Sequence, residues 1–218
     1  MKLIPPILIC LLSTFVSLRS QSLGSFPDGL GIEVGGGHNQ LKWHINPHPP
    51  FVAEQEKTRQ EFSFTPTFRL SYQVSIFDEI RAGLFLGFNR FGGRSIQEPN
   101  GYKDEFWIDA IDIGVFTTYT VGYIAFGGGL KHNRHLRMLT RYYGSYNQTT
   151  PRSWEEHEDN IFFKNSSTNA GVRLSFILAP WSVSGESWFG ITQLEKAEFD
   201  KLLNIRENHF RILLGYRL

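Results

Sequence analysis

One cysteine, Cys10, stands among 218 residues, so no disulfide can form within the chain. A surplus of one charge is missing too: 22 Lys and Arg face 21 Asp and Glu, a net +1. Without a basic excess there is no electrostatic footprint for nucleic acid. Beyond its first twenty residues the chain has no apolar run approaching the roughly 20 residues of a membrane helix. Only helices and closed barrels satisfy their backbone polar groups in lipid, so a membrane location would require a barrel.

The first twenty residues read as a secretory signal peptide. Lys2 forms a short basic start, 3–18 is mostly apolar with Pro5 and Pro6 inside it, and Ser17, Ser20 and Ser22 are small enough for cleavage. Cleavage after Ser20 is expected. It leaves 21–218 as one domain with 20 basic and 21 acidic residues, a net −1, and removes Cys10.

What the chain does have is alternation. Eight period-two segments lie at 30–43, 62–76, 80–90, 106–121, 123–138, 168–178, 183–193 and 209–218. The cleanest sets Phe62, Phe64, Phe68, Leu70, Tyr72, Val74 and Ile76 against Ser63, Thr65, Thr67, Arg69, Ser71, Gln73 and Ser75. Pro66 cannot donate to a ladder, which predicts a bulge or a missing bond there. The links at 77–79, 122 and 179–182 are tight, whereas those at 44–61, 91–105, 139–167 and 194–208 are long. Strict alternation of short and long links is the habit of outer-membrane barrels. The reading is all-β: an eight-stranded antiparallel transmembrane up-and-down β-barrel.

Alternation alone leaves open which face turns outward, since a soluble barrel would put the apolar face inside. The polar face carries Glu33, Arg69, Arg81, Asp112, Lys131, Arg173, Glu186, Arg211 and Arg217, interleaved with glycines. Glycines weaken strands. Turned inward, however, they give long arginines room to reach the acids, and buried charges require such partners. These nine residues are therefore expected to form a lumen charge network, with Glu33 as partner to Arg211 and Arg217. Phe85, Phe116 and Trp188 on the same face would block a channel further. Trp43, Phe62, Phe88 and Trp107 near the loop-side ends, and Phe77, Tyr119, Tyr123, Trp181 and Tyr216 near the turns, predict two interfacial girdles.

In the closing stretch Phe210, Ile212, Leu214, Tyr216 and Leu218 are apolar at every second position. This ending resembles the assembly signal of outer-membrane barrels. The whole of 21–218 resembles the small eight-stranded barrels of the OmpA and OmpX type, and His209 to Leu218 is similar to the end of PorT-like barrels of Bacteroidetes. The resemblance implies export to the outer membrane of a Gram-negative cell. Outer-membrane lipid, lipopolysaccharide and the barrel assembly machinery would then be partners.

Three candidate chemistries remain. Asn165-Ser166-Ser167-Thr168-Asn169-Ala170 resembles part of the lipid A deacylase motif, but Lys164 and Asn165 stand where its histidine belongs, leaving His157 as the one that could approach. A serine without a base is a poor nucleophile. His44, His48, His132 and His135 match no tight metal spacing, and Glu155 to Asp159 reads as a solvated acidic run. No catalytic residue, cofactor or metal is assigned. The expected role is structural or binding, through loops, chiefly 139–167 with Tyr142, Tyr143, Tyr146 and Trp154, which suit a protein or glycan ligand. The alternatives are a lipid A-modifying enzyme and an accessory barrel of a secretion machine.

Overall fold

The computed structural model describes residues 28–45, 58–61, 63–97, 102–143, 155–157, 163–196 and 203–218. The expected signal peptide lies outside them. Ten strands follow in chain order: β1 (Gly29–Ile45), β2 (Thr58–Glu61), β3 (Ser63–Ser75), β4 (Ile80–Gln97), β5 (Tyr102–Val121), β6 (Ile124–Tyr143), β7 (Glu155–His157), β8 (Ser166–Leu178), β9 (Trp181–Gly190) and β10 (Leu203–Arg217). Eight of them close a barrel in the order β1, β3, β4, β5, β6, β8, β9, β10 and back to β1, every pairing antiparallel. The short β2 and β7 add to β4 and β6 at the loop end.

Tight turns join β3 to β4, β5 to β6 and β8 to β9. At the second of these Gly122 takes φ +58°, the first position of a two-residue hairpin, where glycine is favoured. At the other end the strands run further than the alternation suggested. β4 reaches Gln97, β5 starts at Tyr102 and β10 starts at Leu203, so much of the expected loops 91–105 and 194–208 is strand. A bilayer needs about 9–11 strand residues, whereas β4 and β5 have 18 and 20. Their loop ends therefore project past any membrane.

Pro66 makes no bulge. It stays in register opposite Gly36, and the β3–β4 ladder begins one residue later, at Thr67. The register shift falls instead between Asp109 and Ala110, where β5 meets β6. Leu136 is the extra residue, and it leaves Leu136 and Arg137 both outward while His135 and Met138 both turn in. Bulges re-aim side chains in this way.

Outside, the barrel is apolar. Leu84, Leu86, Ile113, Val115, Val172, Leu174, Phe176, Val183, Ile212 and Leu214 all stand exposed around its girth. Soluble proteins rarely expose contiguous apolar patches beyond a few hundred Å². Near the turns Trp181 stacks edge-on against Tyr216 at 4.8 Å, and Tyr123 lies 6.2 Å from Phe176, an arrangement suited to the membrane interface. Phe64, Phe189 and Phe210 are exposed towards the loop end.

Candidate functional site

All nine charged residues of the polar face point into the barrel and are buried. Some of their links join neighbouring strands, as Arg173 and Glu186 opposite each other on β8 and β9, and others cross the lumen, as Arg69 to Glu186 and Arg173 to Glu33. Glu186 is the hub. It accepts from Arg69 at 2.8 and 2.9 Å, from Arg173 at 3.2 Å and from the Trp188 indole at 2.7 Å. Glu33 accepts from Arg173 at 2.9 and 3.1 Å and lies 3.8 Å from Arg217. Asp112 faces Arg69 and Arg211 at 3.7 Å and Lys131 at 4.0 Å. The expected pairing of Arg211 with Glu33 is not what forms. Arg211 sits further towards the loop end, where it reaches Asp112, Asn89 and His209.

Aromatic rings fill the middle of the lumen. Phe85 lies 6.2 Å from Phe116 and 5.9 Å from Trp188. The Arg69 guanidinium covers Phe85 at 4.3 Å, a desolvated cation–π contact. Inward glycines make this possible. A Cβ on Gly114 would collide with the Phe85 ring, and one on Gly171 with the Trp188 ring.

Above this layer lies a polar group whose centre, Glu207, the alternation did not assign. Asn133 donates to Glu207 at 2.7 Å and to Asn169 at 2.9 Å, and the Ser167 hydroxyl donates to Glu207 at 2.7 Å. His209 lies 3.2 Å from Glu207 and 2.5 Å from the Asn39 amide oxygen. Ser167 does have a histidine beside it: Nε2 of His135, brought in from β6 by the bulge, is 3.3 Å away, and the other ring nitrogen is 2.7 Å from the Lys164 carbonyl. The hydroxyl proton is nevertheless committed to Glu207, and Ser167 is buried. Ser166 is half-buried beside it. Among the described residues no group of three or more His, Cys, Asp or Glu could hold a metal. His48, Tyr146 and Trp154 lie outside those residues, and the His132 ring is exposed beside the Thr168 hydroxyl at 3.1 Å.

At the loop end, apolar side chains gather inside the barrel. Phe91, Ile108, Met138 and Ile205 turn inward from four strands and meet Phe163 and Leu194 from the connections. Backbone bonds hold these connections over the mouth: Leu194 N–H donates to the Ile205 carbonyl at 2.9 Å, and Lys164 N–H to the Leu194 carbonyl at 2.7 Å. Outward, at the same level, Asp109 is bound by Arg90 at 2.5 Å and by Arg137 at 2.7 Å. This charged triad marks the upper edge of the apolar girth on β4, β5 and β6.

An apolar girth around a charged interior defines a transmembrane β-barrel. No protein-family model matches the chain, and no curated protein matches it in sequence. Among solved structures it is similar to Ail, the attachment invasion locus protein of Yersinia pestis, at 14% identity over 88% of this chain and 100% of that one, TM-score 0.47. It is similar to Neisserial surface protein A at 9% identity over 87% and 97%, TM-score 0.48. Outer membrane protein OprG from Pseudomonas aeruginosa aligns at 11% identity over 88% and 97%, TM-score 0.39. Residue roles do not carry across at such identities, and the fold of this chain rests on its own strand pairing.

Proposed function

We propose that this barrel sits in the outer membrane of a Gram-negative envelope, is plugged, and acts through its loop-end surface as a structural or binding protein. The observation behind this is the division of the molecule. The lumen is occupied by paired charges, stacked rings and an apolar cap, while β4, β5 and β6 carry a polar outer surface past the apolar girth. Lipid and lipopolysaccharide meet the girth. The outward face of β10, with Phe210, Ile212, Leu214, Tyr216 and Leu218, is what the assembly machinery reads. A protein or glycan is the ligand at the loop end, with the connection between β6 and β8 its main contact.

Two measurements test the reading. Purified protein in a planar bilayer should give no stepwise conductance, whereas porin-sized steps would overturn the plug. Deleting 144–154 should abolish cell-surface adhesion while leaving barrel assembly intact, and unchanged adhesion would overturn the binding role. The rivals have their own readouts. Altered lipid A in cells carrying the protein would favour a modifying enzyme, and co-purification of a secretion complex from detergent would favour an accessory barrel.

A further inference from the structure

Outward cations gather where the apolar girth of β5, β6 and β8 gives way to water. Arg134 is the eleventh residue of β6 counted from Ile124 at the turn, and about 9–11 tilted strand residues cross a bilayer. It therefore leaves the barrel at the level of the headgroups on the loop side. The register sets Arg134 between Ile111 on β5 and Ser166 on β8, and His132, one outward position nearer the turn, between Ile113 and Thr168. Arg134, His132, Ile111 and Ile113 are all exposed. Lys164, just before β8, is exposed too, and its ammonium donates to the Gln193 carbonyl at 3.1 Å.

The acids nearby are engaged elsewhere. Asp109 is held by Arg90 and Arg137, and Glu105, higher on β5, by Arg141. Glu195 and Glu207 are buried inside the barrel, where they accept from the Ile205 N–H and the Asn133 amide. β7 pairs Glu156 and Glu155 with Leu139 and Thr140, five and six residues past Arg134. Among the described residues no carboxylate pairs with Arg134. At this level Arg90, Arg134, Arg137 and Lys164 stand on the outer surface around one acid, Asp109.

We infer that this face is a docking site for lipid A, the phosphorylated anchor of lipopolysaccharide, with Arg134 holding a phosphate. The inference rests on the outer-membrane placement proposed above and adds to it a fixed lipid site on one side of the girth. A charged side chain bordering lipid is costly unless its head finds a partner, and a guanidinium meets a phosphate through two parallel N–H donors. Several cations side by side suit a headgroup with more than one phosphate, as lipid A has, better than a phospholipid with one. Nearer the turns the exposed Val115, Leu130 and Val172 meet its acyl chains.

Native mass spectrometry of the refolded protein in a zwitterionic detergent tests the site, with phosphorylated lipid A, dephosphorylated lipid A and phosphatidylglycerol as the titrants. Wild type should bind phosphorylated lipid A about fivefold more tightly than either of the others, the worth of one basic residue near an anionic surface. Arg134→Gln should erase most of that preference, while Arg206→Gln, exposed higher on β10, should keep it. Equal binding of all three lipids by wild type, or an undiminished preference in Arg134→Gln, would overturn the site. Phosphatidylglycerol bound as tightly as phosphorylated lipid A would overturn lipid A as its occupant. Should Arg134→Gln lose its heat-dependent gel shift, the wild-type preference decides. The placement has a separate readout: Lys196→Cys, at the loop end, should react with an impermeant maleimide on intact cells. Labelling without a lipid preference removes the site and keeps the placement, whereas no labelling removes both.

Discussion

The two halves of this barrel obey opposite rules. In the turn half the outward positions are apolar and the inward ones hold the charges, packed around the aromatic layer: Val115 against Asp112 on β5, Leu174 against Arg173 on β8. In the loop half the phase inverts. On β4 Arg90 turns out and Phe91 in, on β5 Asp109 out and Ile108 in, on β6 Arg137 out and Met138 in, on β10 Arg206 out and Ile205 in. The turn half is built for lipid outside, the loop half for water outside. Between them lies the layer of Asn39, Asn89, Asn133, Asn169 and His209, all buried. One sheet thus changes solvent partway along its strands, and the boundary is where the alternation reverses.

Removing the hub of the turn half should do the greatest damage. Glu186→Ala strands Arg69, which keeps only Asp112 at 3.7 Å, and breaking a buried pair this way costs about 3–5 kcal/mol. Urea unfolding in phospholipid vesicles should register that loss, and Arg69→Met in the same chain should recover part of it. A loss below about 1 kcal/mol, the range of exposed pairs, would mean the lumen charges are effectively solvated. In the loop half the matching change is Leu194→Ala, fully buried in the cap. It should cost about 2–5 kcal/mol, but locally, as faster proteolysis near 191–196 with the barrel's gel shift retained. Equal loss of the gel shift in both variants would show that the halves unfold as one.

This inversion explains what could and could not be read in the sequence. Where lipid lies outside, large outward apolar side chains mark every second position, so strands such as 62–76 and the nine lumen charges were legible. Above the boundary the same periodicity carries the opposite polarity. Asn204, Arg206 and Asn208 face outward and Ile205 faces inward, and a search for outward apolar residues turns that segment into a loop. Glu207 was lost for this reason, and with it the partner of Ser167. The His135–Ser167 contact depends on a one-residue bulge that no local residue type announces. The cross-lumen pairing of Arg173 with Glu33 was equally hidden, because period two gives the face and not the reach of an arginine across the barrel.

A charge scan on the outer face should map the boundary. Val115→Arg, outward and mid-girth, should destabilise by about 2–4 kcal/mol in a bilayer. Gln40→Arg, outward on β1 near the loop end, should stay within about 0.5 kcal/mol of wild type, as surface changes usually do. Both are read from the same vesicle unfolding curves. Equal costs would remove the change of solvent.

The smallest expected effect comes from Asp28, which sharpens the contrast between a buried and a rim carboxylate. Its Oδ1 accepts from the Ser75 hydroxyl at 2.7 Å. Hydrogen bonds from the Ser75 backbone N–H and hydroxyl, with Arg81 adding a weaker attraction, hold its pKa below the ordinary Asp value. A carboxylate with a lowered folded pKa contributes stability above its unfolded pKa of about 3.9 and loses it as pH falls through the folded value. Because the side chain is 47% exposed, screening limits that contribution to about 0.2–1 kcal/mol. Asp28→Asn should therefore lower stability slightly at pH 7, and the gap from wild type should close as pH falls below the ordinary Asp value. A gap as large as that of Glu186→Ala, or one that persists in acid, would place Asp28 inside the lumen network rather than at its rim.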